Sequence, residues 1–149
     1  GIGGCVVPYR RWPQAAQLFN EMICFARPLK AAEAAERGIV AQLADDFDDL
    51  MVKAVQEVNA LQGNIPRPAK GKLELPPIHL PDEPMAGSLV LSREAVAITI
   101  QTIQAAAATA KFADALEIGY RGFGEIACTE AAKEGISAFL AKRRPVFQK

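Results

Sequence analysis

The residues able to do chemistry are few and scattered. The chain holds one histidine, His79, and three cysteines, Cys5, Cys24 and Cys128. A cysteine nucleophile needs an imidazole within hydrogen-bond reach of its thiol. Cys24 lies between Ile23 and Phe25 on an apolar stretch, the setting of a small core residue. His79 stands between Ile78 and Leu80, with no second histidine and no adjacent carboxylate to orient it. Three cysteines, far apart and without C-x-x-C spacing, argue against a disulfide framework and against a zinc centre, so no metal site is expected. Asp45-Asp46 and Asp48-Asp49 supply paired carboxylates. Adjacent acids at the start of a helical stretch complement the helix dipole more readily than they divide into general acid and general base. Gly1-Ile2-Gly3-Gly4 has the small residues of a phosphate-cradling loop, but not the Lys-Ser/Thr of a P-loop or the spaced third glycine and ribose-binding acid of a dinucleotide site. A tight turn leading into a helix explains it equally. Spacing therefore assigns no catalytic residue. The basic end carries more information: Lys142, Arg143 and Arg144 stand near Phe139 and Phe147, bringing cationic donors for a phosphate together with flat apolar surface for a base. The same cations also suit the negative end of a helix.

These residues must be positioned by a chain of 149 residues, half of them apolar, in which 17 Lys and Arg balance 17 Asp and Glu. That is one domain's worth of sequence. Balanced charge gives no electrostatic footprint for nucleic acid, and no acidic block suggests a solvating tail. No apolar run approaches the roughly 18 residues that cross a bilayer, and GIGGCVVPYRRW lacks the basic-then-apolar order of a signal peptide. A soluble, cytoplasmic protein with neither a nucleic-acid nor a membrane partner is expected. Because the first residue is glycine, a processed chain or a piece of a longer one is also expected.

Abundant alanine and only 7% aromatic residues favour close-packed helices, so the fold is expected to be mainly α with little or no sheet. Ala15, Leu18, Phe19, Met22, Ile23 and Ala26 share a helical face and predict a helix over 13–26 beginning at Pro13. A short helix over Ala31 to Arg37 is stopped by Gly38, and Ile39-Val40-Ala41 follows as a brief extended link. From Asp46, the residues Phe47, Leu50, Met51, Ala54, Val55, Val58 and Leu61 repeat at 3,4 spacing, with Gly63 beyond the end. Six of the ten prolines fall between Asn64 and Leu91, which excludes a long helix there and predicts a surface-hugging arm. Ser92 caps a helix with Val96, Ile100, Ile103 and Ala107 on one face. The next, Phe112 to Ala127, is expected to turn Leu116, Phe123 and Ile126 inward. Its Gly119, Gly122 and Gly124 each cost about 1 kcal/mol relative to alanine, which points to close approach of another backbone, such as a partner subunit's, or to a bent helix. Thr129 caps a last helix that Gly135 interrupts. The organisation expected is a helical segment over 1–63, a proline-rich arm over 64–91 and a helical segment over 92–149.

The run Thr129-Glu130-Ala131-Ala132-Lys133-Glu134-Gly135-Ile136-Ser137-Ala138-Phe139-Leu140-Ala141-Lys142-Arg143-Arg144-Pro145-Val146-Phe147 resembles the closing signature of the crotonase superfamily, the enoyl-CoA hydratases and isomerases. Gly1-Ile2-Gly3-Gly4 followed by Arg10 resembles the glycine loop and arginine of that family. Ala26 to Val40 resembles its alanine-rich helix and the G-L/I-V segment after it. The resemblance covers residues 1–61 and 92–149. The proline arm is longer than the family pattern, and Lys30 stands where that pattern has a Ser, Thr or Asp cap.

The resemblance implies that the chain is the helical C-terminal half of a crotonase-like fold. The oxyanion hole and both water-activating glutamates precede the glycine loop in the family, so the chain alone is expected to be inactive. It implies acyl-CoA as the parent's substrate, no further cofactor, and trimer-type homo-oligomers. Phe139 and Lys142 match positions that reach the adenosine and 3′-phosphate end of CoA, and Arg143 is a further candidate. The parent reaction is hydration of 2-enoyl-CoA thioesters. A multifunctional parent carrying a 3-hydroxyacyl-CoA dehydrogenase domain and an acyl-CoA hydrolase are variants of this reading. The alternative from a different class is a free-standing helical protein-interaction module without catalytic activity.

Overall fold

The computed structural model describes residues 3–147, so Gly1 and Ile2 of the glycine loop lie outside the described residues. The fold is mainly helical, with one two-stranded ladder among the described residues. Its contacts divide the chain into two compact units, one made of the residues up to Arg27 together with those from Ala69 onward, the other of Pro28–Pro68.

In the first unit, Gly3 adopts φ +79° and its carbonyl accepts from Val6 N and Val7 N, turning the chain into α1 (Val7–Arg11). Gly3 and Gly4 thus form a turn entering a helix. The helix expected over 13–26 opens with a 3-10 turn at Pro13–Ala15 and continues as α2 (Ala16–Phe25). It stops because Ala26 turns left-handed at φ +52°. Leu18, Phe19 and Cys24 of α2 are buried, and the Phe19 ring meets Tyr9 edge-on at 5.8 Å. Tyr9 Oη donates to Asn20 Oδ1 over 2.9 Å, which satisfies a hydroxyl and an amide that the core would otherwise strand.

The second half of this unit supplies its axis. Ser92 caps α5 (Arg93–Ala107), accepting from Ala95 N, and α5 buries Val96, Ile98, Ile100 and Ile103 on more than one side because it packs on both α2 and α6. The partner helix α6 (Phe112–Ala127) faces α5 through Ala115 and Gly122, and Val6 through Gly119. Leu116 packs on the Val6–Ala106–Ala115 cluster as expected, and the inward face is corrected at Phe123. Leu116 and Ile126 are half-buried, while Phe123 is 48% exposed. The physical reason is steric: α6 approaches its neighbours most closely through its small residues, and the large Phe123 ring is left on the exposed side. The close approach that the glycines permit is to α5 and Val6 of this same chain. Thr129 caps α7 (Glu130–Leu140), which runs unbroken through Gly135 and so corrects the expected interruption. One glycine costs about 1 kcal/mol, less than the helix recovers from its cap and the buried Ala138.

No helix passes through the proline-rich stretch, as expected from its missing donors. From Ala69 on it lies along the first unit: Ala69 N donates to Arg10 O (2.7 Å), Gly71 N to Ala110 O (3.2 Å) and Leu73 N to Ala107 O (2.8 Å). Near its end, β1 (Met85–Ala86) and β2 (Leu89–Val90) pair antiparallel, Met85 opposite Val90, across a Gly87-Ser88 turn with Gly87 at positive φ.

The second unit holds α3 (Ala31–Glu36) and α4 (Phe47–Leu61). Gly38, at φ +66°, closes α3 as expected: Ile39 N reaches Ala34 O and Gly38 N reaches Ala35 O. Ile39-Val40-Ala41 forms no strand and bends instead. Asp46 caps α4, and Gln62 ends it in the left-handed region.

Candidate functional site

Most of the chemistry-bearing side chains are already committed to the fold. Cys24 is buried, and burial pushes its thiol up to about 12, which leaves it without a thiolate at neutral pH. Burial also raises Cys5, and Cys128 is exposed. His79 is exposed on the proline arm. Among the described residues no group of three or more His, Cys, Asp or Glu converges in a way that could hold a metal ion. None of the helices described is long and apolar enough to cross a membrane.

Of the four aspartates, the carboxylates of Asp46 and Asp49 act on their own helix. Asp46 Oδ1 accepts from Asp49 N (2.9 Å), and Asp49 Oδ2 accepts in return from Asp45 N (3.0 Å), a reciprocal cap that satisfies two donors at the start of α4. Lys53 then donates to the same Asp49 oxygen (2.7 Å), and these bonds draw the Asp49 carboxyl below its ordinary range.

Arg10 is 2% exposed, and its guanidinium donates to four backbone carbonyls: Ala69 (3.1 Å), Gly71 (3.0 Å), Ala106 (3.2 Å) and Thr109 (2.5 Å). The Ala106 carbonyl lies in the last turn of α5 and that of Thr109 just beyond its end, where a helix carries partial negative charge, so the cation is placed where the dipole favours it. The other two belong to the arm. Arg10 is therefore a clamp joining α1, the arm and the end of α5, and burial pulls its pKa downward. A lone arginine after a glycine turn gives no hint in sequence of a four-carbonyl socket, because its partners lie 59 to 99 residues away.

The basic end has the most open geometry. Helix α7 closes in a Schellman motif: Arg143 N donates to Ala138 O (3.0 Å) and Lys142 N to Phe139 O (3.1 Å), with Lys142 itself left-handed at φ +53°. Behind it, Arg143 makes a two-pronged pair with Glu134, Nη1 to Oε1 at 2.5 Å and Nη2 to Oε2 at 2.7 Å. Val146 N adds a third donor to Glu134 Oε1 (2.8 Å), and the Arg143 pair first, then this bond, hold the Glu134 carboxyl down at about 2. Of the three residues expected at CoA, Arg143 is thus bound to a carboxylate, whereas Lys142 and Phe139 point outward, Phe139 with 83% of its surface in water. Glu134 was not among the expected site residues. Its nine-residue separation from Arg143 spans a helix end and belongs to no helical spacing.

Three clefts border this end, and Phe147 lines each of them; one, of about 490 Å³, lies between Asp82, Glu83, Val90 and Arg93 on one side and Pro145 and Val146 on the other. The remaining two differ in character. One, of about 430 Å³, is lined by Glu94, Glu130, Lys133, Glu134 and Ser137, so carboxylates dominate it. The other, of about 290 Å³, is apolar, with Ile23, Val96, Ile126 and Ala132 in its wall. Glu130 is paired with Lys133 and Glu134 with Arg143, so the charge of the carboxylate-lined cleft is partly neutralised, while Lys142 offers its ammonium on the outward face of the tail. Comparison of the chain with family profiles, with curated proteins and with solved structures finds no match.

Proposed function

We propose that this chain is the helical, oligomer-forming and CoA-capping region of an enoyl-CoA hydratase/isomerase-like protein, whose parent reaction is addition of water across a 2-enoyl-CoA thioester. The observation that carries the reading is the α7 tail. The residues resembling the family's closing signature fold as one capped helix with a locked turn, which leaves Phe139 and Lys142 free of the core while Glu134 fixes their neighbour Arg143. An exposed ring beside a primary ammonium suits an adenine and a phosphate, the ring by stacking and the ammonium as a point charge. No residue of the chain is assigned to the chemical step. In the intact enzyme that step rests on preorganised donors stabilising an enolate-like thioester anion.

A second reading, a helical interaction module with no ligand, is favoured by the uncovered apolar face of α4, where Phe47 is 71% and Val58 67% exposed. Titration of the chain with CoA separates the two. The first reading predicts saturable binding that Lys142→Ala weakens by about tenfold, the loss of one charge-assisted contact. No binding, or binding that is indifferent to Lys142→Ala, transfers the lead to the interaction module.

A further inference from the structure

Phe147 is the one residue that walls all three clefts at the basic end. Val146 is shared by the clefts of about 430 and 490 Å³, Leu91 by those of about 490 and 290 Å³, and Ser92 and Ala131 by those of about 430 and 290 Å³. The half-buried ring therefore stands where the three meet, and its position decides whether they are separate hollows or one groove. All of these residues belong to the first unit.

The segment that carries the ring is fastened at few points. Once α7 has closed through the backbone of Lys142 and Arg143, the hydrogen bonds that tie residues 143–147 to the rest of the described chain converge on Glu134. Arg143 Nη1 and Nη2 donate to its two oxygens, and Val146 N donates to Oε1. Arg143 Nη1 also donates to Arg144 O (3.2 Å), which ties the segment to itself. Pro145 has no N–H to give. We propose that residues 143–147 form a strap with two fastenings, Glu134 as its clasp and Phe147 as its stopper, whose release joins the three clefts into one groove along α5 and α7. The fastenings are coupled by length, because Phe147 directly follows the Val146 whose N–H Glu134 holds. In the open form the apolar wall of Val96, Ile126 and Ala132 becomes continuous with the polar wall of Glu94, Glu130 and Lys133. The strap leaves Phe139 and Lys142 on the outward side, so it goes beyond the CoA reading without occupying its residues.

The experiment is limited trypsin digestion of the whole chain, with mass spectrometry following cleavage after Lys142 and after Arg143, and with anilinonaphthalene sulfonate fluorescence reporting exposed apolar surface. When opening is fast relative to cleavage, the rate tracks the population of the open form. The variants are Glu134→Ala, which removes the clasp, Phe147→Ala, which removes the stopper, and Glu130→Ala, which lines the same cleft but pairs only with Lys133. Alanine favours the helix, so α7 is expected to persist, and circular dichroism checks that it does. The expected result is slow cleavage in the parent chain, acceleration by about tenfold or more in Glu134→Ala and in Phe147→Ala with a rise in dye fluorescence, and no change in Glu130→Ala. Equal rates in the parent and Glu134→Ala overturn the proposal, because the carboxylate then clasps nothing. So does a parental rate in Phe147→Ala, since the turn would then hold without the ring, or dye fluorescence that neither variant raises. CoA is absent from the experiment and neither Phe139 nor Lys142 is changed, so the strap and the CoA reading can fail separately.

Discussion

Gly122 of α6 faces Thr102 of α5 so closely that a methyl group on Gly122 would stand 2.1 Å from the Thr102 hydroxyl oxygen, 2.8 Å from its methyl and 3.0 Å from its Cβ. The whole side chain is in the way, and Thr102 is buried with its hydroxyl tied to Ile98 O at 2.7 Å. Gly122→Ala must therefore push the two helices apart. We expect a loss of about 1–3 kcal/mol, the range of core overpacking, even after the gain in helix propensity. Gly124 meets nothing within 4 Å, so Gly124→Ala is expected to stabilise by up to about 1 kcal/mol. Urea unfolding of the two variants measures the contrast, and equal effects would show that the α5–α6 spacing is not what keeps Gly122.

The Arg10 socket makes a similar demand on a longer side chain. Arg10→Met keeps the apolar stem and removes the donors of four carbonyls. Each buried carbonyl left without a partner costs about 1–3 kcal/mol, and the expected destabilisation is about 3 kcal/mol or more. Arg10→Lys is expected to recover only part of it, because three donors on one nitrogen cannot span two pairs of carbonyls. Thermal denaturation of the two variants tests this, with full recovery by lysine as the contrary result.

Lys142 closes α7 with a left-handed backbone that glycine adopts at no steric cost and lysine does not. Lys142→Gly is expected to raise stability by about 1 kcal/mol, and Lys142→Ala to leave it nearly unchanged because alanine bears the same backbone penalty. Both should weaken CoA binding. A stabilised variant that binds CoA like the parent would separate the backbone strain from any ligand.

Glu134 links the tail to pH. Its folded-state pKa, about 2, lies below the ordinary 4.5, so its contribution is fully present above about pH 4.5 and is lost as the pH falls through 2. The side chain is half-buried at the surface, and solvent screening keeps the effect on global stability small. The local effect is the measurable one. Carboxyl chemical shifts followed by NMR should show Glu134 titrating well below the other glutamates, and Arg143→Gln should return it toward 4.5. An ordinary titration in the parent chain would mean that the latch is open in solution.

Several elements were legible because their signals are local. Asp46 and Ser92 announce helix starts through side-chain caps, and Gly38 announces a stop through its positive φ. What stayed hidden depends on partners distant in sequence. The 3,4 spacing of α4 marks an apolar stripe without saying which side is covered; the chain covers the side of Asp49, Lys53 and Glu57, because Gln42, Leu43 and Asp45 find hydrogen-bond partners there. Hydrophobicity alone turns Phe123 inward, a measure blind to the room that Gly119 and Gly122 make for Val6 and Thr102. At the basic end, the cations and rings could be seen together in sequence. Which cation Glu134 would occupy could not, because that depends on how the turn after Leu140 folds back.

The central claim is tested most directly by comparing CoA with 3′-dephospho-CoA on the intact chain by calorimetry. If Lys142 and Phe139 cap the nucleotide end, both ligands bind, and loss of the 3′-phosphate weakens binding by about tenfold, the worth of one ammonium–phosphate contact. Equal affinities would remove Lys142 from the site, and absence of binding by either ligand would contradict the CoA-capping account.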